Sequence, residues 1–114
     1  MFNLSVGCFA VAAVLGATMA LRFFTQKGIQ LPMALLHGVF AAAGLALLAV
    51  GGMQASFPGR TGLALGLFLV AAVGGFIMFG RHLMRLAMIP ALIVIHGGAA
   101  VVSFLILVTS VYSA

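Results

Sequence analysis

The chain contains no aspartate and no glutamate. That absence removes whole classes of chemistry, because paired carboxylates for acid and base work, a Ser-His-Asp triad and an oxygen cage for a hard cation all need side chains the sequence does not have. A small four-helix proton-coupled exporter would be expected to carry a membrane-embedded glutamate, and that too is missing. Tryptophan is absent, and Cys8 is the single cysteine, so no internal disulfide framework can form. Cys8 reads as a small apolar packing residue. Charged residues make up 4% of the chain, against roughly 25% in soluble domains. A water-soluble fold would have almost nothing polar to turn toward its solvent.

What is present is apolar: 66% of the 114 residues are hydrophobic. Residues 1–21, 28–59, 61–80 and 86–114 contain no charged side chain, and each block can supply the roughly 20 apolar residues a spanning helix needs. Hydrocarbon offers no partner to backbone N–H and C=O groups, so spans of this kind must satisfy them internally as helices. The expected class is an all-α membrane protein, with transmembrane helices over residues 3–24, 30–52, 62–82 and 88–111 in an up-down-up-down bundle. The formal charge of +5 superficially suggests a nucleic-acid binder, but the five basic residues are scattered at helix ends and read as topology signals; the partner expected is a lipid bilayer, and no nucleic acid. Arg22, Lys27, Arg81 and Arg85 fall in the first and third connections and Arg60 in the second. This four-to-one bias predicts that the first and third connections are cytoplasmic and both termini outside, with a bacterial inner (cytoplasmic) membrane as the expected location. The first span lacks a basic n-region and is too long for a signal peptide.

The chain matches itself at a shift of 59 residues. Gly7 to Gly16 lies over Gly66 to Gly75 with seven of ten pairs identical, and the same shift pairs Met19 with Met78, Arg22 with Arg81, His37 with His96, Gly38 with Gly97, Ala41 with Ala100 and Leu48 with Leu107. Apolar composition alone does not produce matched arginines and histidines. One transmembrane domain over residues 1–114 is therefore expected to consist of two repeats, 1–59 and 60–114, each a two-helix hairpin. Because each repeat has an even number of spans, the halves share one orientation and are related by a pseudo-twofold along the membrane normal. Pro32 and Pro90 sit where the second and fourth helices would begin, a position at which a missing N–H costs little.

His37 and His96 fall inside their spans about six residues past the helix start, ~9 Å along the axis. Polar groups at such depth face the bundle interior or a functional pathway. A lone histidine would ordinarily bond a carbonyl or hydroxyl of a neighbouring helix. Duplication instead places two imidazoles at one depth on either side of an axis, on diagonal helices whose axes would lie about 11 to 14 Å apart. That gap has room for one metal between two inward-reaching rings. Haem iron accepts axial histidine, and bundle interiors are common cofactor sites. His37 and His96 are thus the candidate metal ligands. Each is followed by glycine and, a turn on, by alanine: Gly38 and Ala41, Gly97 and Ala100. A large side chain is missing where a porphyrin would press against the helices. Gly16 and Gly75 could likewise make room for a flat ligand, although small residues at this spacing also serve helix packing. Arg22, Arg81 and Lys27 lie at the same membrane edge, where they could pair with propionates or serve only as topology charges.

This pattern resembles the small membrane cytochromes of the b type, in which histidines on a four-helix bundle hold haem across the core. The resemblance covers the four spans, and its residue signature is the two His-Gly pairs. It implies non-covalent haem b, there being no Cys-x-x-Cys-His attachment motif, and transmembrane or quinone-linked electron transfer. A quinone or a redox protein would then be a partner, and a homo-oligomer or larger membrane complex is compatible with it. As an enzyme the chain could be only a redox component. Two competing readings share the fold: an accessory or assembly subunit, and a small transporter or channel. His82 has Phe23 as its repeat counterpart and is expected at the interface as a solvated residue, with a quinone contact as the sharper alternative. Met84 and Met88, one turn apart, suggest either packing or soft-metal transfer.

Overall fold

The computed structural model describes residues 1–113. Four helices, α1 (Phe2–Phe24), α2 (Leu31–Gln54), α3 (Thr61–Leu83) and α4 (Pro90–Tyr112), account for nearly all of them, and no strand occurs among the described residues. Each helix is long and apolar enough to cross a bilayer, so the chain is an integral membrane protein. The molecule measures 42 × 21 × 19 Å, its long dimension sufficient for a hydrocarbon core of about 30 Å and its headgroup margins. The observed ends differ slightly from expectation. α4 starts at Pro90 rather than at residue 88, since Ile89 is held extended (φ −97°, ψ 113°) by the proline ring that follows it. α2 runs past Gly51 and Gly52 to Gln54 because those glycines lie against Met1, Phe2 and Phe57 instead of ending the helix.

The two hairpins turn in the same way. After α1, the Lys27 amide donates to the Arg22 carbonyl at 2.8 Å and the Gln26 amide to Phe23 at 3.0 Å; after α3, Leu86 donates to Arg81 at 2.9 Å and Arg85 to His82 at 3.1 Å. These are Schellman closures, which need a left-handed residue just past the helix. Gln26 (φ 62°) and Arg85 (φ 56°) adopt it without being glycine. The preceding arginine then clamps each turn. Arg22 donates to the carbonyls of Gly28 (3.2 Å) and Lys27 (3.3 Å), and Arg81 donates twice to Ala87 (3.0 and 2.7 Å).

Packing is uneven along the bundle. α1 lies along α2 and α3 along α4, with much narrower contact between hairpins. Every buried residue belongs to the half nearer the termini: Ser5, Phe9 and Ala12 on α1, Gly44 and beyond on α2, Thr61 to Ala71 on α3, Ser103 and Leu107 on α4. There the repeats meet through Phe9 and Phe68, stacked with centroids 3.8 Å apart and planes 3° from parallel, above the fully buried Leu48 and Leu107. Ser5 donates to the Gly44 carbonyl at 2.9 Å. Tyr112 donates to Asn3 (2.6 Å), and Arg60 donates through its amide to Ser110 (3.1 Å) and through Nη2 to Thr109 (3.3 Å), closing this end. Toward the other end the hairpins separate.

Two glycines on α2 should respond oppositely to the same change. A Cβ at Gly44 would stand 2.9 Å from the Phe9 ring, whereas one at Gly38 would meet nothing within 4 Å. Gly44→Ala should therefore destabilise the bundle by about 1–3 kcal/mol, and Gly38→Ala should leave stability unchanged or raised by up to about 1 kcal/mol. Reversible unfolding of both variants in mixed micelles checks this ordering.

Candidate functional site

In hydrocarbon each imidazole must find partners among neighbouring helices. His37 on α2 lies with Nδ1 2.7 Å from the Ala12 carbonyl of α1, and His96 on α4 with Nδ1 2.7 Å from the Ala71 carbonyl of α3. A carbonyl oxygen can only accept, so in both rings Nδ1 carries the proton and donates; in a neutral ring Nε2 then holds a lone pair. The ring positions depend on Gly16 and Gly75. A Cβ at either would stand 3.0 Å from Cε1 of the adjacent histidine. These two glycines, read from the sequence as helix-packing positions or as room for a flat ligand, thus serve to seat the imidazoles against the backbones of α1 and α3.

The pseudo-twofold brings the rings together. Their centroids are 6.1 Å apart with planes at 76°, although α2 and α4 themselves make no close backbone approach. A metal about 2.0 Å from one nitrogen of each ring would place the centroids about 6 Å apart when it lies between them. No group of three or more His, Cys, Asp or Glu side chains capable of holding an ion occurs among the described residues. Two imidazoles leave a bare tetrahedral ion short of ligands. They suffice for a metal that arrives inside a macrocycle with four in-plane nitrogens and needs only axial ligands.

Space for such a ligand exists around the pair. A cavity of about 650 Å³ lies between the separated hairpins, within the usual 300–1,000 Å³ of small-molecule sites. Phe9 and Phe68 form its floor, and Gly38, Ala41, Gly97 and Ala100 line its walls with Gly16 and Gly75. No atom comes within 4 Å of a Cβ built at Gly38 or Gly97, so the space beside each histidine is open. Exposed lining residues such as Ala17, Val39, Phe76 and Val101 show that the cavity reaches the apolar flank of the bundle in mid-span. The lining leaves room for an apolar group beside the two imidazoles.

The remaining sequence candidates are placed differently. Arg22 and Arg81 are committed to turn carbonyls and, like Lys27, do not line the cavity. His82, expected as a solvated interfacial residue, is half-buried and lines the cavity, as does Met88; Met84 is exposed. Cys8 is half-buried away from the cavity. Sequence reading gave a carbonyl or hydroxyl of a neighbouring helix as the ordinary partner of such a histidine, and a carbonyl is what each ring meets; it did not identify Ala12 and Ala71 or the aromatic floor. A signal existed, since Ala12 precedes His37 by the same 25 residues that separate Ala71 from His96.

The tautomers are directly measurable. In ligand-free protein, ¹⁵N spectra of labelled histidine should show His37 and His96 protonated at Nδ1 and bare at Nε2. Gly16→Ala should disturb the His37 signals and Gly75→Ala those of His96, each leaving the other ring in place; equal disturbance of both rings by either variant would contradict the independent seats. No protein-family model, no curated protein and no solved structure matches the chain.

Proposed function

We propose that the protein is a haem b-binding integral membrane protein that serves electron transfer, in which His37 and His96 would hold the iron. The observation that carries this reading is the pair of imidazoles 6.1 Å apart, each already using its Nδ1 proton on a carbonyl. Metal-bound histidines characteristically donate their second nitrogen in this way, which fixes the ring and strengthens the ligand nitrogen. When bound, haem supplies reversible one-electron chemistry at iron. The chain's own residues do the rest. Ala12 and Ala71 orient the ligands, Gly38, Gly97, Ala41 and Ala100 leave the ring plane free, and the Phe9–Phe68 stack shuts the cavity off from the end bearing the termini. At the opposite end, Arg22 and Arg81 each retain one terminal nitrogen that is not used on a turn carbonyl, and with Lys27 they are the cations there that suit haem carboxylates.

Purification from cells with adequate haem supply should give a protein with a Soret band and a low-spin bis-imidazole signature at one haem per chain. His37→Ala or His96→Ala should abolish that signature or the haem itself while circular dichroism remains helical. His82→Ala should leave the spectrum nearly intact. Gly38→Leu or Gly97→Leu should reduce haem retention by steric exclusion. Absence of a Soret band in the haem-replete wild type, or a wild-type spectrum in both axial variants, would end the assignment.

The same reading puts the open end of the bundle in the cytoplasm, supported by Arg22, Lys27, Arg81 and Arg85 at that end against Arg60 at the other. In a Cys8→Ala background, cysteines introduced at Gln30 and Ala55 should react with impermeant maleimide from opposite sides, Gln30 from the cytoplasmic face. Inverted labelling would reverse the orientation.

A further inference from the structure

The duplication supplies an internal comparison. Around the paired histidines the halves agree, with Ala12 and Ala71, Gly16 and Gly75, Arg22 and Arg81, Gly38 and Gly97. Toward the hairpin turns they diverge in one direction. Met19, Phe23 and Ile29 of the first repeat correspond to Met78, His82 and Met88 of the second. Met78, His82 and Met88 all line the cavity, so the second repeat brings three donor residues to this end where the first brings a single thioether.

All three line one cavity, and the turn ties their segments together. Met78 and His82 are four residues apart on α3, and side chains so spaced are neighbours on one helix face, with Cβ atoms about 5–6 Å apart. Met88 follows Ala87, whose carbonyl is gripped by Arg81 at 3.0 and 2.7 Å, while the Leu86 amide closes on the Arg81 carbonyl at 2.9 Å. The residue before His82 thus holds the returning chain at the end of α3, immediately ahead of Met88. His82 makes no carbonyl contact like those that occupy Nδ1 of His37 and His96. Packing alone accounts for methionine in such a place, but it gives no reason for an imidazole where the other repeat has phenylalanine.

We infer that Met78, His82 and Met88 form a binding site for a soft monovalent cation, Cu(I), at the end of the cavity nearer the α3–α4 turn. Thioether sulfur selects Cu(I) among biological metals, and imidazole also suits copper. Hard divalent ions need oxygen ligands, and the chain has no carboxylate side chain to offer. Three neutral donors suit one positive charge better than two, more so with Arg81 and Arg85 close by in sequence. The site shares the cavity with the histidine pair but uses other donors: His82 lies seven residues beyond Gly75, ~10 Å along α3, and none of the three donors is His37 or His96.

The test uses the full chain in nanodiscs, titrated with Cu(I) under ascorbate against bicinchoninate as competing chelator. The wild type is expected to take up one Cu(I), with sulfur and nitrogen scatterers in its copper-edge absorption spectrum. H82F/M88I, which installs the first repeat's residues, should weaken binding by at least the 10- to 100-fold that loss of a supporting contact alone costs at metal sites. Met78→Leu should also weaken it. H37A/H96A should keep the Cu(I). Equal affinity in wild type and H82F/M88I, nitrogen-only scattering, or loss of Cu(I) in H37A/H96A would each overturn the assignment. Failure of the axial reading appears instead as a missing Soret band, so the two are distinguishable.

Discussion

An imidazole placed in hydrocarbon has no water to satisfy its N–H, and every helical amide around it already has a partner. The spare capacity lies in carbonyl oxygens, each of which can accept a second bond. His37 and His96 take up this capacity at Ala12 and Ala71, and much of the site's geometry follows. To reach the carbonyl, the ring must press its Nδ1–Cε1 edge against the neighbouring helix, so a glycine is needed one turn further on, where Gly16 and Gly75 stand. Once Nδ1 is occupied in this way, Nε2 is the nitrogen left for a ligand. The same bond ties α1 to α2 and α3 to α4, so each hairpin carries its own oriented histidine, and the pseudo-twofold needs only to bring the two hairpins together.

How they come together is decided at the other end. Phe9 against Phe68, Leu48 and Leu107, and the small residues Ser5, Gly44, Ala64 and Ser103 fill the half near the termini. In lipid, association of helices depends on such close packing, because the surrounding chains are as apolar as the side chains. The half around the histidines lacks comparable filling: beyond Ala12 and Ala71 on one pair of helices, and before Gly44 and Ser103 on the other, no residue is buried. A packed half can hold an unpacked half open, which reconciles a stable bundle with a cavity of about 650 Å³.

The spans, their order and the duplication were legible in the sequence because they are written in hydropathy and in matched residues such as Arg22 with Arg81. The equal depth of His37 and His96 was legible for the same reason. The acceptors of their hydrogen bonds were hidden, since every residue carries a carbonyl and alanine gives no sign that its own is in use. The arginines were ambiguous as well: whether Arg22 faces a ligand or folds back on Gly28 depends on turn geometry set by Gln26 at φ 62°, a conformation the residue type does not announce. His82 read as solvated because it lies near a helix end; its half-buried place on the cavity follows from the separation of the hairpins, which local pattern does not reveal.

Differences between the repeats fall into two kinds, and the packing distinguishes them. At the level of Ser5 the change is compensated: Ser5 faces Gly44 in the first repeat, while their counterparts are Ala64 and Ser103. The hydroxyl has moved from one helix to the other, bonding across to Gly44 in one case (2.9 Å) and back along its own helix to Ala99 in the other (2.6 Å), so at this level each hairpin keeps one buried serine and a small partner. At the end of the cavity nearer the hairpin turns the change is not compensated. Phe23 and Ile29 give way to His82 and Met88 with no reciprocal loss of donors elsewhere at that end, since Met19 and Met78 remain matched. An exchange that preserves volume and hydrogen bonding maintains a fold. An uncompensated gain of an imidazole and a thioether on one wall adds chemistry that packing does not require, and it makes the two sides of a nearly symmetric cavity unequal.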